Sequence, residues 1–185
     1  MISQVFDTDI FKIITLFSAS PGSRFSRKEI KEKTLLNNVP LDKALIRLAY
    51  SKILLHEKGF YFLNIYSEAS KLLIQLAKKE FIELKEIPLP VYFLLLDMAY
   101  YLSSQKGCDV YLFGSYSKLV YKESSDVDVA VVSDRIDKKF ARKVAIALEK
   151  IYKKKIEIHF FERKFYKNKS DPLVKEILKN GVRIL

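Results

Sequence analysis

FGSYSKLVYKESSDVDV, residues 113–129, sets a glycine–serine pair ten residues ahead of two aspartates that flank one valine. The preceding DVYLF (109–113) is β-branched and aromatic, as in a buried strand, and DVDVAVV (126–132) alternates charge with valine before turning wholly apolar. Side chains in a strand repeat with period two, so Asp126 and Asp128 are expected on one face and Val127, Val129 and Val131 on the other. Neighbouring carboxylates repel unless water, a cation or a base neutralises them. A hard ion such as Mg²⁺ takes one or two carboxylates together with substrate phosphates. Gly114 lets backbone N–H groups come close to such phosphates, and Ser115 adds a hydroxyl donor. Each feature alone is common in ordinary turns and strand ends. Together, at this spacing, they point to metal-assisted chemistry on a phosphate.

The combination resembles the minimal nucleotidyltransferases of the DNA polymerase β superfamily, whose pattern is Gly-Ser, ten residues, Asp-x-Asp. Gly114, Ser115, Asp126 and Asp128 match it without a gap. The resemblance runs from about Cys108 to the end of the sequence. There DPLVKEILKNGVRIL (171–185) is similar to the family's closing helix and short terminal strand, with Gly181 as the C-cap. Ser117 suits the small residues that usually follow the Gly-Ser pair. Leu119 stands where the family commonly has glycine, which predicts a stiffer or differently shaped loop. The resemblance also implies a third carboxylate on a later strand, and KIEIHFFE (155–162) offers Glu157 where the usual residue is Asp. Glu157 shares its face with His159, while Ile156 and Ile158 share the other. The alternative for Glu157 is an exposed sheet face, paired with one of the lysines at 153–155. His159 is read as a neighbour of the site or a surface histidine, not a ligand.

What the resemblance implies is transfer of a nucleoside monophosphate from a nucleoside triphosphate, ATP being the expected one, to an acceptor hydroxyl. Asp126 and Asp128 would hold one or two Mg²⁺ ions, and Glu157 would complete a metal position or act as general base. Gly114, Ser115 and Lys118 would seat the phosphates. Two rival readings stand beside this one: a transcriptional regulator whose nucleotidyltransferase fold only senses nucleotide, and an antitoxin paired with a HEPN-domain toxin.

Working towards the N-terminus, TDIFKIITLFS (8–18) puts Ile10, Ile13, Ile14 and Phe17 on one helical stripe. Ser26 and Glu29 form a capping-box pattern that opens a short second helix. Pro40 fits the first turn of a third helix with Leu41, Leu45, Leu48 and Ala49 inward. ILLHEKGFYFLNI (53–65) reads as a hairpin turning at Lys58-Gly59. Three helices and a hairpin resemble a winged helix-turn-helix domain of archaeal type, whose third helix would enter the DNA major groove. Arg27, Lys28, Lys43 and Arg47 would supply the nucleic-acid contacts, with Arg24 and Lys52 nearby. The other use of such a domain is protein docking.

The expected architecture is therefore α+β in three segments: a winged helix over 1–66, a helical linker over 67–90, and a nucleotidyltransferase domain over 91–185 with a small mixed sheet flanked by helices. The linker reads as one helix over 66–86, stopped by Ile87-Pro88-Leu89-Pro90. The apolar stretch VYFLLLDMAYYL (91–102) carries Asp97 and is too short to span a bilayer. It is expected to be a buried helix or a homodimer contact.

Composition sets the outer bounds. One cysteine, Cys108, excludes an intramolecular disulfide and fits a reducing compartment. With no secretory pattern at the start, a cytoplasmic location is expected. The 33 basic against 22 acidic residues give a net charge of +11. That balance suits phosphate-bearing partners, nucleotide or nucleic acid. A catalytic module of about 80 residues has little room to enclose a second small substrate. The acceptor is therefore expected on a macromolecule, a partner protein such as a HEPN-type toxin first and an RNA end second.

Overall fold

The structure, a computed structural model, describes residues 7–84, 87–105 and 107–185. Among the described residues it holds eight α-helices and two small sheets. The chain packs as two compact units with the boundary between Ile82 and Glu83.

In the first unit, α1 (Thr8–Ala19) starts where the Asp7 carboxylate accepts from the N–H groups of Asp9 and Ile10 at 3.1 and 3.3 Å. Its Ile13, Ile14 and Phe17 are buried, as the helical stripe requires. β1 (Phe25–Ser26) leads into α2 (Arg27–Thr34), opened by a full capping box. The Ser26 N–H donates to Glu29 at 2.7 Å, and the Glu29 N–H donates back to Ser26 Oγ at 3.3 Å. α3 (Asn38–Tyr50) has Asn37 as N-cap, so Pro40 lies in the first turn, where its missing N–H costs nothing. Leu41, Ala44, Leu45 and Leu48 face inward, while Val39, Ile46 and Tyr50 are exposed.

β2 (Leu54–Glu57) and β3 (Phe60–Leu63) form the expected hairpin, with Lys58 and Gly59 both at positive φ (50° and 83°). A two-residue turn of that hand matches strand twist. β1 adds to β3, giving an antiparallel sheet in the order β1-β3-β2. α4 (Glu68–Glu83) belongs with this unit, its Ser70 hydroxyl donating to the Ile53 carbonyl at 3.3 Å. The helix expected over 66–86 thus starts two residues late, and residues 85 and 86 lie outside the described residues.

In the second unit, α5 (Leu89–Leu102) begins after Pro88 and has Pro90 in its first turn. Its apolar side chains from Val91 to Leu96 are buried, and Tyr100 and Tyr101 near its end are exposed. The four-stranded sheet has β4 (Asp109–Phe113) and β5 (Val127–Val132) at its centre. β6 (Ile156–Phe161) and β7 (Val182–Arg183) form the two edges. Only β5 and β6 run parallel, as a crossover through α7 (Lys138–Tyr152) allows. α7 packs on α5, and the Tyr152 hydroxyl donates to Asp97 at 2.7 Å.

The two sheet faces divide by residue parity. Val110, Leu112, Val127, Val129, Val131 and Ile156 are buried on one. The other carries Phe113, Ala130 and Val132, covered by Phe165 from a 3₁₀ turn (Arg163–Lys167) and by Val174 and Ile177 of α8 (Pro172–Asn180). Gly181 does cap α8, but with extended backbone (φ −69°). Glycine is needed there because a Cβ would lie 2.4 Å from the Ile177 carbonyl oxygen.

Candidate functional site

Where β4 ends, the chain reverses at Gly114 (φ 71°) into one helical turn, α6 (Gly114–Ser117). Ser117 Oγ donates to the Gly114 carbonyl at 3.1 Å, and the Val120 N–H donates to the Ser115 carbonyl at 3.0 Å. Buried Tyr116 stacks on Tyr121 with ring centroids 4.5 Å apart. Leu119, in the position read as glycine-like, adopts φ 58°. The loop therefore has the left-handed residue a glycine would serve, built from leucine at a strain cost of about 1–2 kcal/mol.

Gly114 is tied to the carboxylates by contact as well as by sequence. A Cβ at Gly114 would fall 2.0 Å from Asp128 Oδ2 and 2.8 Å from its Cγ. The Asp128 side chain occupies the space a larger residue would need, and the Ser115 N–H donates to it. Across the sheet Asp128 is paired with Phe113 on β4 and with Glu157 on β6. His159, opposite Ala130, lies two residues on along the same face. The Glu157 carboxylate and His159 Nε2 are 3.2 Å apart, and the edge of Phe113 packs against the imidazole with centroids 5.3 Å apart. Burial first, then the charge of Glu157, raise the Asp128 carboxyl above its ordinary range; His159 opposes them, Asp126 adds a smaller push, and the Ser115 N–H opposes least.

Asp126 is placed differently. β5 starts at Val127, so Asp126 lies just outside the ladder, and its carboxylate takes the Lys155 ammonium at 2.8 Å. That bond holds Lys155 above the usual lysine range. Asp128, Glu157 and His159 each put one donor atom within 4.8 Å of the others. The cluster that forms thus contains the histidine read as a bystander and leaves out the first aspartate of the motif. The signal was present in the sequence, since a residue two positions from a site carboxylate on one strand shares its face.

Other residues singled out by sequence are engaged elsewhere. Lys118 Nζ donates to Glu176 of α8 at 2.8 Å. Arg27 forms a forked pair with Asp42 at 2.6 and 2.9 Å, which raises the arginine and lowers the carboxyl from their ordinary values. Arg47 pairs with Asp7 at 2.7 Å, and Lys28 with Glu32 at 4.0 Å. Arg24 stacks over the Phe62 ring at 4.3 Å. Lys43 lines a concavity of about 460 Å³ with Asp7, Asp9, Val39, Ile46 and Arg47. The Cys108 thiol is pushed up to about 11 by burial and then by Asp109, which leaves it unreactive at neutral pH.

Two carboxylates and an imidazole converging at the end of a sheet, beside a glycine turn that offers an N–H, fit a divalent cation. The raised Asp128 carboxyl marks negative charge that such an ion would neutralise. Among the described residues no helix is long and apolar enough to cross a membrane. A search of curated proteins and one of solved structures each returned no match. Residues 98–185, from within α5 to the last residue, match the family model described as Polymerase beta, Nucleotidyltransferase.

Proposed function

We propose that the protein transfers a nucleoside monophosphate from a nucleoside triphosphate, ATP first, to a hydroxyl on a macromolecule, with pyrophosphate leaving as the new phosphate ester forms and the hydroxyl proton passing to a base. The observation that carries this reading is the Gly114–Ser115 turn pressed onto Asp128, with Glu157 opposite, inside the segment that matches the nucleotidyltransferase model. Phosphoryl-type transfer depends on positioning and charge neutralisation more than on covalent chemistry, so few residues suffice. Asp128 and Glu157 would hold the divalent ion, which when bound offsets triphosphate charge. The Ser115 N–H fixes the Asp128 carboxylate, which sits against the Gly114 backbone, and the phosphates would be seated beside that turn. Glu157, with its side chain 52 % exposed, would either stay on the ion or take the proton of the incoming hydroxyl on a carboxylate oxygen. Asp126 and Lys118, paired here with Lys155 and Glu176, would have to leave those partners to join the triphosphate.

The macromolecular acceptor is supported by the position of the site. Glu157 and His159 lie on β6, an edge strand, so an acceptor can approach from the sheet margin without entering an enclosed cavity. The first unit supports the same reading as a docking module. Its elements run α1-β1-α2-α3-β2-β3, an order that suits a winged helix, and Lys43 and Arg47 line a concavity beside α3.

The test is incubation with ATP labelled at the α- or the γ-phosphate, a divalent ion and cell extract. Label should reach a macromolecule from the α-position only, and Asp128→Asn should abolish it. Transfer of γ-label, or efficient turnover of a small acceptor without extract, would overturn the proposal.

A further inference from the structure

We infer that the nucleotide-free site is a mixed oxygen and nitrogen centre, made by Asp128, Glu157 and His159, that selects a first-row transition ion of the Mn²⁺ or Zn²⁺ class over Mg²⁺. The inference rests on the proposed function for the role of the ion, not for its binding.

Three observations carry it. First, the donors converge: Glu157 Oε1 and His159 Nε2 are 3.2 Å apart, and all three ligand atoms fall within 4.8 Å of one another. Ligands about 2.0–2.2 Å from one ion sit at separations of this order. Second, each donor is held. Asp128 is fixed by the Ser115 N–H and by the space at Gly114, and His159 by the edge of Phe113. Glu157 and His159 lie two apart on β6, in register with Asp128 and Ala130 of β5. Third, the carboxylate that would make an all-oxygen site, Asp126, is already matched with Lys155 at 2.8 Å.

Donor chemistry then decides the ion. Mg²⁺ demands near-octahedral oxygen ligands and parts reluctantly with water, so an imidazole contributes little to holding it. Imidazole suits Zn²⁺ and its first-row neighbours, most strongly towards the end of the series and least at Mn²⁺, and carboxylates are acceptable to all of them. Replacing one carboxylate by His159 therefore changes the ion the site prefers more than it changes the strength of the site.

The experiment uses the full-length, chelator-treated protein without nucleotide, titrated calorimetrically with MnCl₂ and with MgCl₂. Mn²⁺ should bind at least about tenfold more tightly than Mg²⁺. His159→Gln should remove most of that difference while leaving Mg²⁺ binding unchanged, and should weaken Mn²⁺ more than Asp126→Asn does. A second measurement needs no variant at the site. The chain has two histidines, His56 and His159, so ¹⁵N imidazole spectra can follow each ring. Zn²⁺ should shift the Nε2 signal of His159 and leave His56 in place, and Mg²⁺ should shift neither. Equal affinity for Mn²⁺ and Mg²⁺, an unmoved His159 signal, or a larger loss with Asp126→Asn than with His159→Gln would overturn the inference. The two ideas fail separately. Nucleotide transfer with no His159 ligation would sink the inference alone. Zn²⁺ on His159 with no nucleotide binding would support it and sink the proposed reaction.

Discussion

Replacing Gly114 by alanine probes the contact on which the site is built. The perturbation has two parts. Alanine at φ 71° enters the left-handed region, which costs about 1–2 kcal/mol. Its Cβ also arrives 2.0 Å from Asp128 Oδ2 and 2.8 Å from Cγ, so the whole carboxyl group must swing away and not merely its tip. That movement breaks the bond from the Ser115 N–H, a hydrogen bond to a charged acceptor worth about 1.5–3 kcal/mol. Asp128 is part-buried and water can replace some of that bond, so the total is expected near the lower end, about 2–4 kcal/mol. Urea unfolding at an unchanged slope measures it. In an Asp128→Ala background only the Asp128 Cβ, 3.1 Å away, remains, and the cost should shrink to the backbone part of about 1–2 kcal/mol. The cycle should therefore show a coupling of at least about 1 kcal/mol. An equal cost in both backgrounds, or less than about 0.5 kcal/mol in the first, would refute the argument that Asp128 and the turn hold each other.

Leu119→Gly should leave stability unchanged or raise it by up to about 1 kcal/mol, because relief of the left-handed leucine outweighs the added freedom of the unfolded chain. A clear loss in thermal unfolding would mean that the side chain, 51 % exposed, makes contacts that matter. Asp128→Asn, measured in chelator, should melt higher than wild type at neutral pH. The folded protein holds the Asp128 proton more tightly than the unfolded chain does, so wild-type stability falls as pH rises from the ordinary 3.8 through the raised folded value and then levels. The advantage of the variant should therefore vanish as pH drops below 3.8, and a difference independent of pH would contradict the assignment. Any DNA or RNA retarded by the first unit should bind with a steep salt dependence. Lys43→Ala with Arg47→Ala should lower that slope by about 1, not 2, because Arg47 is already paired with Asp7. No retardation at low ionic strength would leave protein docking as the role of the unit.

Most of the fold could be read locally. The capping box at Ser26 and Glu29 and the Lys58-Gly59 turn depend on residues no more than a few positions apart, and both formed where patterns of that range predict. The stripe of α1 and the inward residues of α3 follow helical period alone, with Ala44 in place of Ala49 as the buried alanine. What stayed hidden depends on partners far along the chain. The attachment of α4 to the first unit was not legible, because the linker reading rested on two prolines after the helix and not on what Ser70 would touch. Gly181 was placed correctly as a cap for a reason the sequence does not reveal, the close approach of a carbonyl one turn earlier.

The same distinction explains the site. Period two was enough to put Asp128, Ala130 and Val132 on one face of β5, and Glu157, His159 and Phe161 on one face of β6. It could not say that the ladder begins at Val127, which frees Asp126 from the strand. Nor could it say that the Val127–Ile156 register, continued back by one residue, sets Lys155 beside Asp126. Register depends on how the patterns of both strands match and on the connection between them, here through α7, so neither strand read alone discloses it. Motif spacing therefore singles out the candidate residues at this sheet end, while the register decides which side chains meet there. With Asp126 matched by Lys155 and the Asp128 carboxyl raised by burial and by the charge of Glu157, the proposed cation is expected on the Asp128 side of the motif.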